Sequence, residues 1–124
     1  MHLEILVEPR YLPEQSKPIE EVYGFAYAIT VSNRGTEAAQ LISRHWVISD
    51  EDGHVEEIKG LGVVGRQPYL RPGEQFKYTS GAHLRTPSGS MRGSFYFVDE
   101  EGTHFAVPVP AFVLDATGQK KSVH

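Results

Sequence analysis

The sequence predicts an all-β protein, an antiparallel β-sandwich of about seven or eight strands. Three observations carry that expectation. Apolar residues recur with a period of two along most of the chain, and clusters of Asn, Asp, Gly and Pro separate the alternating runs. No segment sustains the period of an amphipathic helix. At 124 residues the chain fits one domain, 1–124, with a single hydrophobic core.

Taken in order, Leu3, Ile5 and Val7 alternate with His2, Glu4, Leu6 and Glu8 and read as a strand with one buried face. The following YLPEQSKP, with Pro13 and Pro18, reads as a breaker-rich connection. From Val22 to Asn33 the chain is aromatic and β-branched, and Tyr23, Phe25, Tyr27, Ile29 and Val31 share a face. Asn33-Arg34-Gly35 supplies a turn, because Asn and Gly tolerate positive φ. Thr36 to Leu41 is the best helical candidate and amounts to about one turn. Leu41 to Ser49 is a third strand, with Ile42, Arg44, Trp46 and Ile48 on one side.

Asp50-Glu51-Asp52-Gly53 turns into a short charged strand, His54 to Lys59. Residues 60–74 hold four glycines and two prolines and are expected to be mostly loop. Phe76, Tyr78 and Ser80 alternate with Lys77 and Thr79 in a further strand, and residues 85–89 turn again. Met91, Phe95 and Phe97 line the inner face of the next strand, which ends at the turn 99–102. Phe105, Val107, Val109 and Val113 mark the last. Pro108 and Pro110, on its other parity, cannot donate ladder hydrogen bonds and place this strand at a sheet edge. The tail from about Asp115 is polar and expected to fray.

Composition removes whole classes of function. Acidic residues exceed basic ones by 16 to 12, a net charge of −4, which argues against a strong electrostatic grip on nucleic acid. With no cysteine there are no disulfides, thiolate metal sites or cysteine nucleophiles, in keeping with a cytoplasmic location. No apolar run approaches the ~18 residues of a membrane span. The opening MHLEILVEPR lacks the basic n-region of a signal peptide.

Gly60-Leu61-Gly62-Val63-Val64-Gly65 fits GxGxxG, but Pro68 and Pro72 deny the helix that a dinucleotide site requires. Two readings remain: glycines serving turns and close packing, or a nest of backbone N–H groups at Gly60, Gly62 and Gly65, flanked by Lys59 and Arg66, that binds pyrophosphate, a nucleotide or another anion. Arg44 on the face of Trp46 is unusual, since parity puts a cation where an apolar side chain is expected. Arg44 and Trp46, with Tyr11, Tyr69 and Tyr78, form a candidate surface for a protein partner.

The six histidines form no HxH, HxxxH or HExxH pattern. The cluster Asp50, Asp52, His54, Glu56 and Glu57 fits a charged hairpin tip, so no metal site and no cofactor are assigned. No GxSxG elbow is present, and no catalytic residue is assigned.

Several segments in order, YLPEQSKP, YGFAYAITVSNRG, QLISRHWVISDEDG, GLGVVGRQPYLRPGEQFKYTSG and TPSGSMRGSFYF, strongly resemble bacterial ApaG proteins over essentially residues 3–114. The resemblance implies a fibronectin type III/immunoglobulin-like sandwich. It implies a non-enzymatic interaction module as well, since similar domains occur in a polymerase-delta-interacting protein and an F-box protein. The family's glycine motif falls on Gly60, Gly62 and Gly65, with a suggested nucleotide or pyrophosphate role. An older family name links it to cobalt resistance and magnesium efflux. The resemblance carries over no catalytic residue, and self-association is left open.

Overall fold

A computed structural model describes residues 2–117. Its strands are β1 (Leu3–Lys17), β2 (Val22–Asn33), β3 (Ala39–Asp50), β4 (Val55–Leu61), β5 (Tyr69–Leu70), β6 (Gln75–Leu84), β7 (Ser88–Asp99) and β8 (His104–Asp115). Among the described residues the one helical element is a single 3-10 turn, Pro18–Glu20. A three-stranded sheet runs in the order β1-β2-β6. A five-stranded sheet runs β4-β3-β7-β8, with β5 also paired to β3. Every pairing is antiparallel, giving the expected sandwich.

Alternation explains how the layers meet. The inward parity of β2 supplies Phe25, Tyr27, Ile29 and Val31, and β7 answers with Met91, Phe95 and Phe97. Trp46, 2% exposed, is the hub of the core. Its ring meets Phe95 edge-on at 5.6 Å, Phe112 at 5.9 Å and Tyr27 at 5.6 Å. Gly93 pairs with Trp46 across the ladder, and a Cβ there would stand 3.0 Å from the indole and 2.0 Å from the His45 carbonyl oxygen. Close approach of strand to ring thus demands glycine at this position.

Several local expectations are corrected. The predicted connection YLPEQSKP is strand as far as Lys17: β1 continues through Pro9, paired with Tyr27, and on to Lys17. An edge strand with one neighbour tolerates the missing N–H groups. Ala39–Leu41 is extended rather than helical, because Ala39 and Leu41 pair with Asp99 and Phe97. Gly60 and Leu61 belong to β4, and Tyr69–Leu70 adds to β3, so the 60–74 loop shrinks at both ends. β8 lies at a sheet edge as its prolines require, and its irregularity opposite β7 spans Pro110 and Ala111. It runs to Asp115, and the expected tail from 118 onward lies outside the described residues.

The two lateral sides of the sandwich differ. β1 packs along β8, closing one side with Val7, Tyr11, Phe105 and Phe112. No comparable contact joins β6 to β4 on the other.

Candidate functional site

On the open side, the inward face of β3 carries a cation. Arg44 pairs with Phe95 and Gly60 across the ladders, which aims its side chain toward the interior together with Trp46 and Ile48. There is room because Gly60 has no side chain: a Cβ there would lie 2.8 Å from both terminal guanidinium nitrogens. Arg44 Nη1 donates to the carbonyl oxygens of Leu61 at 3.0 Å and Gly62 at 2.9 Å, holding the exit of β4. Across the gap, the charge of Arg44 acts on the hydroxyls of Tyr27 and Tyr78 in the other sheet. Burial nonetheless dominates and pushes both phenols above their ordinary range, so both stay neutral. Ser80 is the hydrogen-bonding neighbour of the Tyr27 hydroxyl. The Tyr78 hydroxyl is buried and has no hydrogen-bond partner among the described residues.

The glycine motif is organised by a tight turn. Val63 and Arg66 exchange N–H···O bonds of 2.8 and 2.9 Å around Val64-Gly65, both with positive φ. That is the pattern of a type I′ hairpin turn. Gly62, at φ 64°, donates to the Ile42 carbonyl at 2.7 Å, and a Cβ there would strike the Arg66 carbonyl oxygen at 2.3 Å. The N–H groups of Gly62, Val63 and Arg66 are therefore committed to backbone carbonyls. Lys59 projects from the outer face of the sheet opposite His45, whereas Arg66 lies over the Phe76 ring of the other layer at 5.8 Å. The two cations do not flank one cradle.

The outer face of the five-stranded sheet holds a depression of about 530 Å³ lined by Ser43, Arg44, His45, Lys59, Gly60, Leu61 and Tyr96. One ladder row crosses it as Leu61–Ser43–Tyr96–Ala106, and the next as Lys59–His45–Ser94–Pro108. Leu61 is 75% exposed and Tyr96 37%. His45 Nε2 meets Glu57 Oε2 at 2.6 Å at the border. That hydrogen bond, with the charges of Lys59 and His45 behind it, holds the Glu57 carboxyl below its ordinary range.

The candidate partner surface is thus redistributed. Trp46 is core and closed to a partner, whereas Tyr11 packs inward on Phe25 with rings 5.4 Å apart and Tyr78 faces the interior beside Ile29, both only partly buried. Tyr69 stays half exposed beneath Arg71. Leu61, Tyr96, Ser43 and His45 were not singled out by the sequence. Parity signals Tyr96, which stands between inward Phe95 and Phe97, but Leu61 is hidden inside the glycine motif. At the hairpin tip, Asp50 Oδ1 accepts from the N–H groups of Asp52 and His54 at 2.9 Å, shaping the turn. Burial opposes the Asp50 carboxylate, yet these bonds and the Arg85 charge bring it below its ordinary range. Among the described residues no group of three or more His, Asp or Glu side chains is placed to hold a metal ion, and no helix is long and apolar enough to cross a membrane.

Comparison with known proteins converges on one family. The family model of the ApaG domain matches residues 13–99. Protein ApaG of Acidovorax sp. (strain JS42) is 60% identical over 114 residues, covering 92% of this chain and 83% of that protein. Protein ApaG of Acidithiobacillus ferrooxidans (strain ATCC 53993) is 58% identical over 114 residues, covering 92% and 90%. A crystal structure from Bordetella pertussis superposes with a TM-score of 0.92 at 50% identity, covering 95% of this chain and 96% of that one.

Proposed function

The chain belongs to the ApaG domain family, and we propose that within it this protein binds a protein partner rather than catalysing a reaction, using the outer face of its five-stranded sheet. One observation carries the reading: the exposed row Leu61–Ser43–Tyr96–Ala106, apolar or small across four strands, where a solvated sheet face ordinarily carries polar side chains. The depression it crosses offers a pocket for one aliphatic or aromatic anchor. Lys59 and the His45–Glu57 pair give that pocket a polar rim.

Photo-crosslinking side chains placed at 61 and at 96 test it, with exposed Ile19 as the control. The expected result is one adduct of the same mass from both positions and none from 19. The repurified partner binds the purified chain, and Leu61→Asp weakens that binding by about tenfold or more. Adducts that form equally at 19, or binding indifferent to Leu61→Asp in a folded variant, overturn the assignment.

A further inference from the structure

Each sheet has two edges, and the sequence treats one unlike the rest. β1 carries Pro9 and Pro13 and β8 carries Pro108 and Pro110, and these two strands lie against each other. β4 is only seven residues long and bears Glu56, Glu57 and Lys59. Short length, charge and proline are the usual guards of an exposed edge. Of these guards β6 has only Lys77. The strand is ten residues long, pairs with β2 from Gln75 to Leu84 and, among the described residues, has no strand on its other side. It contains no proline, and alternate residues of such an edge direct their N–H and C=O groups outward.

Its charge is equally distinctive. The chain has 16 acidic residues and a net charge of −4, yet residues 75–84 include no Asp or Glu while Lys77 and His83 project from the strand. Arg85, which follows directly, is engaged by Asp50 at 3.6 Å, so Lys77 is the main cation of the edge. A carboxylate arriving beside β6 meets the Lys77 cation.

We propose that β6 is an acceptor edge for an extended acidic segment of a partner protein, which adds as a fourth strand to the three-stranded sheet. Backbone pairing supplies affinity, and alternating side chains supply specificity. The occupant is not a second copy of this chain. β6 laid antiparallel against β6 about Ser80 sets Lys77 of one molecule opposite His83 of the other, and in any register the strand supplies no acid to Lys77. The assignment concerns a different layer from the outer-face site and stands independently of it.

The probe is a synthetic peptide of about ten residues, the length of the edge, alternating Glu with Thr and Val. Titrated into the full chain, it shifts the backbone amides of 75–84 and slows their hydrogen exchange. Lys77→Glu weakens binding by about tenfold, as does N-methylation of alternate peptide nitrogens, and a peptide with Lys in place of Glu fails to bind. Leu61→Asp leaves peptide binding intact, which separates this edge from the outer face. Silence at 75–84 in millimolar peptide, or equal binding of the Lys peptide, overturns the proposal. So does protection of those amides by self-association of the chain alone.

Discussion

Along one side of the sandwich β1 lies against β8, and Val7, Tyr11, Phe105 and Phe112 fill the gap. Along the other, β6 and β4 stand apart, and the gap holds a guanidinium, a glycine and a phenol hydroxyl without a partner. The closed side follows the general rule of interiors, apolar surface removed from water at close packing. The open side breaks that rule at Tyr78, since a buried hydroxyl without a hydrogen bond is unfavourable. Local departures of this kind concentrate where a surface is shaped for something other than stability. The comparison teaches where to look: stability resides in the β1–β8 seam and the Trp46 cluster, and both proposed recognition surfaces lie away from that seam.

The largest expected effect falls on the closed side. Phe112→Ala removes a ring that touches both Trp46 and Tyr27 and should lower unfolding free energy by about 3 kcal/mol, read by urea denaturation. Peptide-induced shifts in β6 should survive it under native conditions. A loss well below 1 kcal/mol would mean that the two sides are energetically alike. Next is Tyr78→Phe on the open side. Deleting an unpartnered hydroxyl should stabilise the fold by about 1 kcal/mol, whereas a clear loss would show that the hydroxyl is bonded.

The smallest effect concerns acid. Glu57 and Asp50, both on strands of the five-stranded sheet, have folded carboxyls below their ordinary values of 4.5 and 3.8. Their stabilising contribution is therefore complete at neutral pH and is lost as pH falls through and below those values. Glu57→Gln should flatten the acid decline of the urea midpoint slightly, with no change near pH ~7 beyond the loss of an exposed pair. An unchanged acid limb would show that the His45 contact contributes nothing.

Much of the architecture was legible because alternation and turn chemistry are local. The β2 run, the Asp50–Gly53 turn and the edge position of β8 needed only parity and proline. Pairing partners are not local, and the errors arose there. Pro13 read as a breaker because nothing in the sequence shows that β1 has a neighbour on one side only. Parity placed Arg44 beside Trp46 correctly, but its inward aim depends on Gly60 lying opposite, a register visible only once β4 is paired with β3. The irregularity between Leu41 and Ser43 is similar: Leu41 and Trp46 are both buried although their numbers differ in parity, since the strand takes an extra residue between them. Tyr78 was already grouped with Phe76 by alternation, and counting it as surface set that signal aside.

The arginine lying over Gly60 has one more consequence. An edge strand held by a single neighbour is free to slide along it, and each two-residue step preserves which face looks inward. Here the guanidinium acts as a key that needs a glycine for its notch. Sliding β4 one step in one direction puts Ile58 beneath Arg44, where the terminal nitrogens would meet a branched side chain instead of open space. Slippage of a seven-residue edge in that direction is thereby opposed by a side chain of its neighbour as well as by its own ladder.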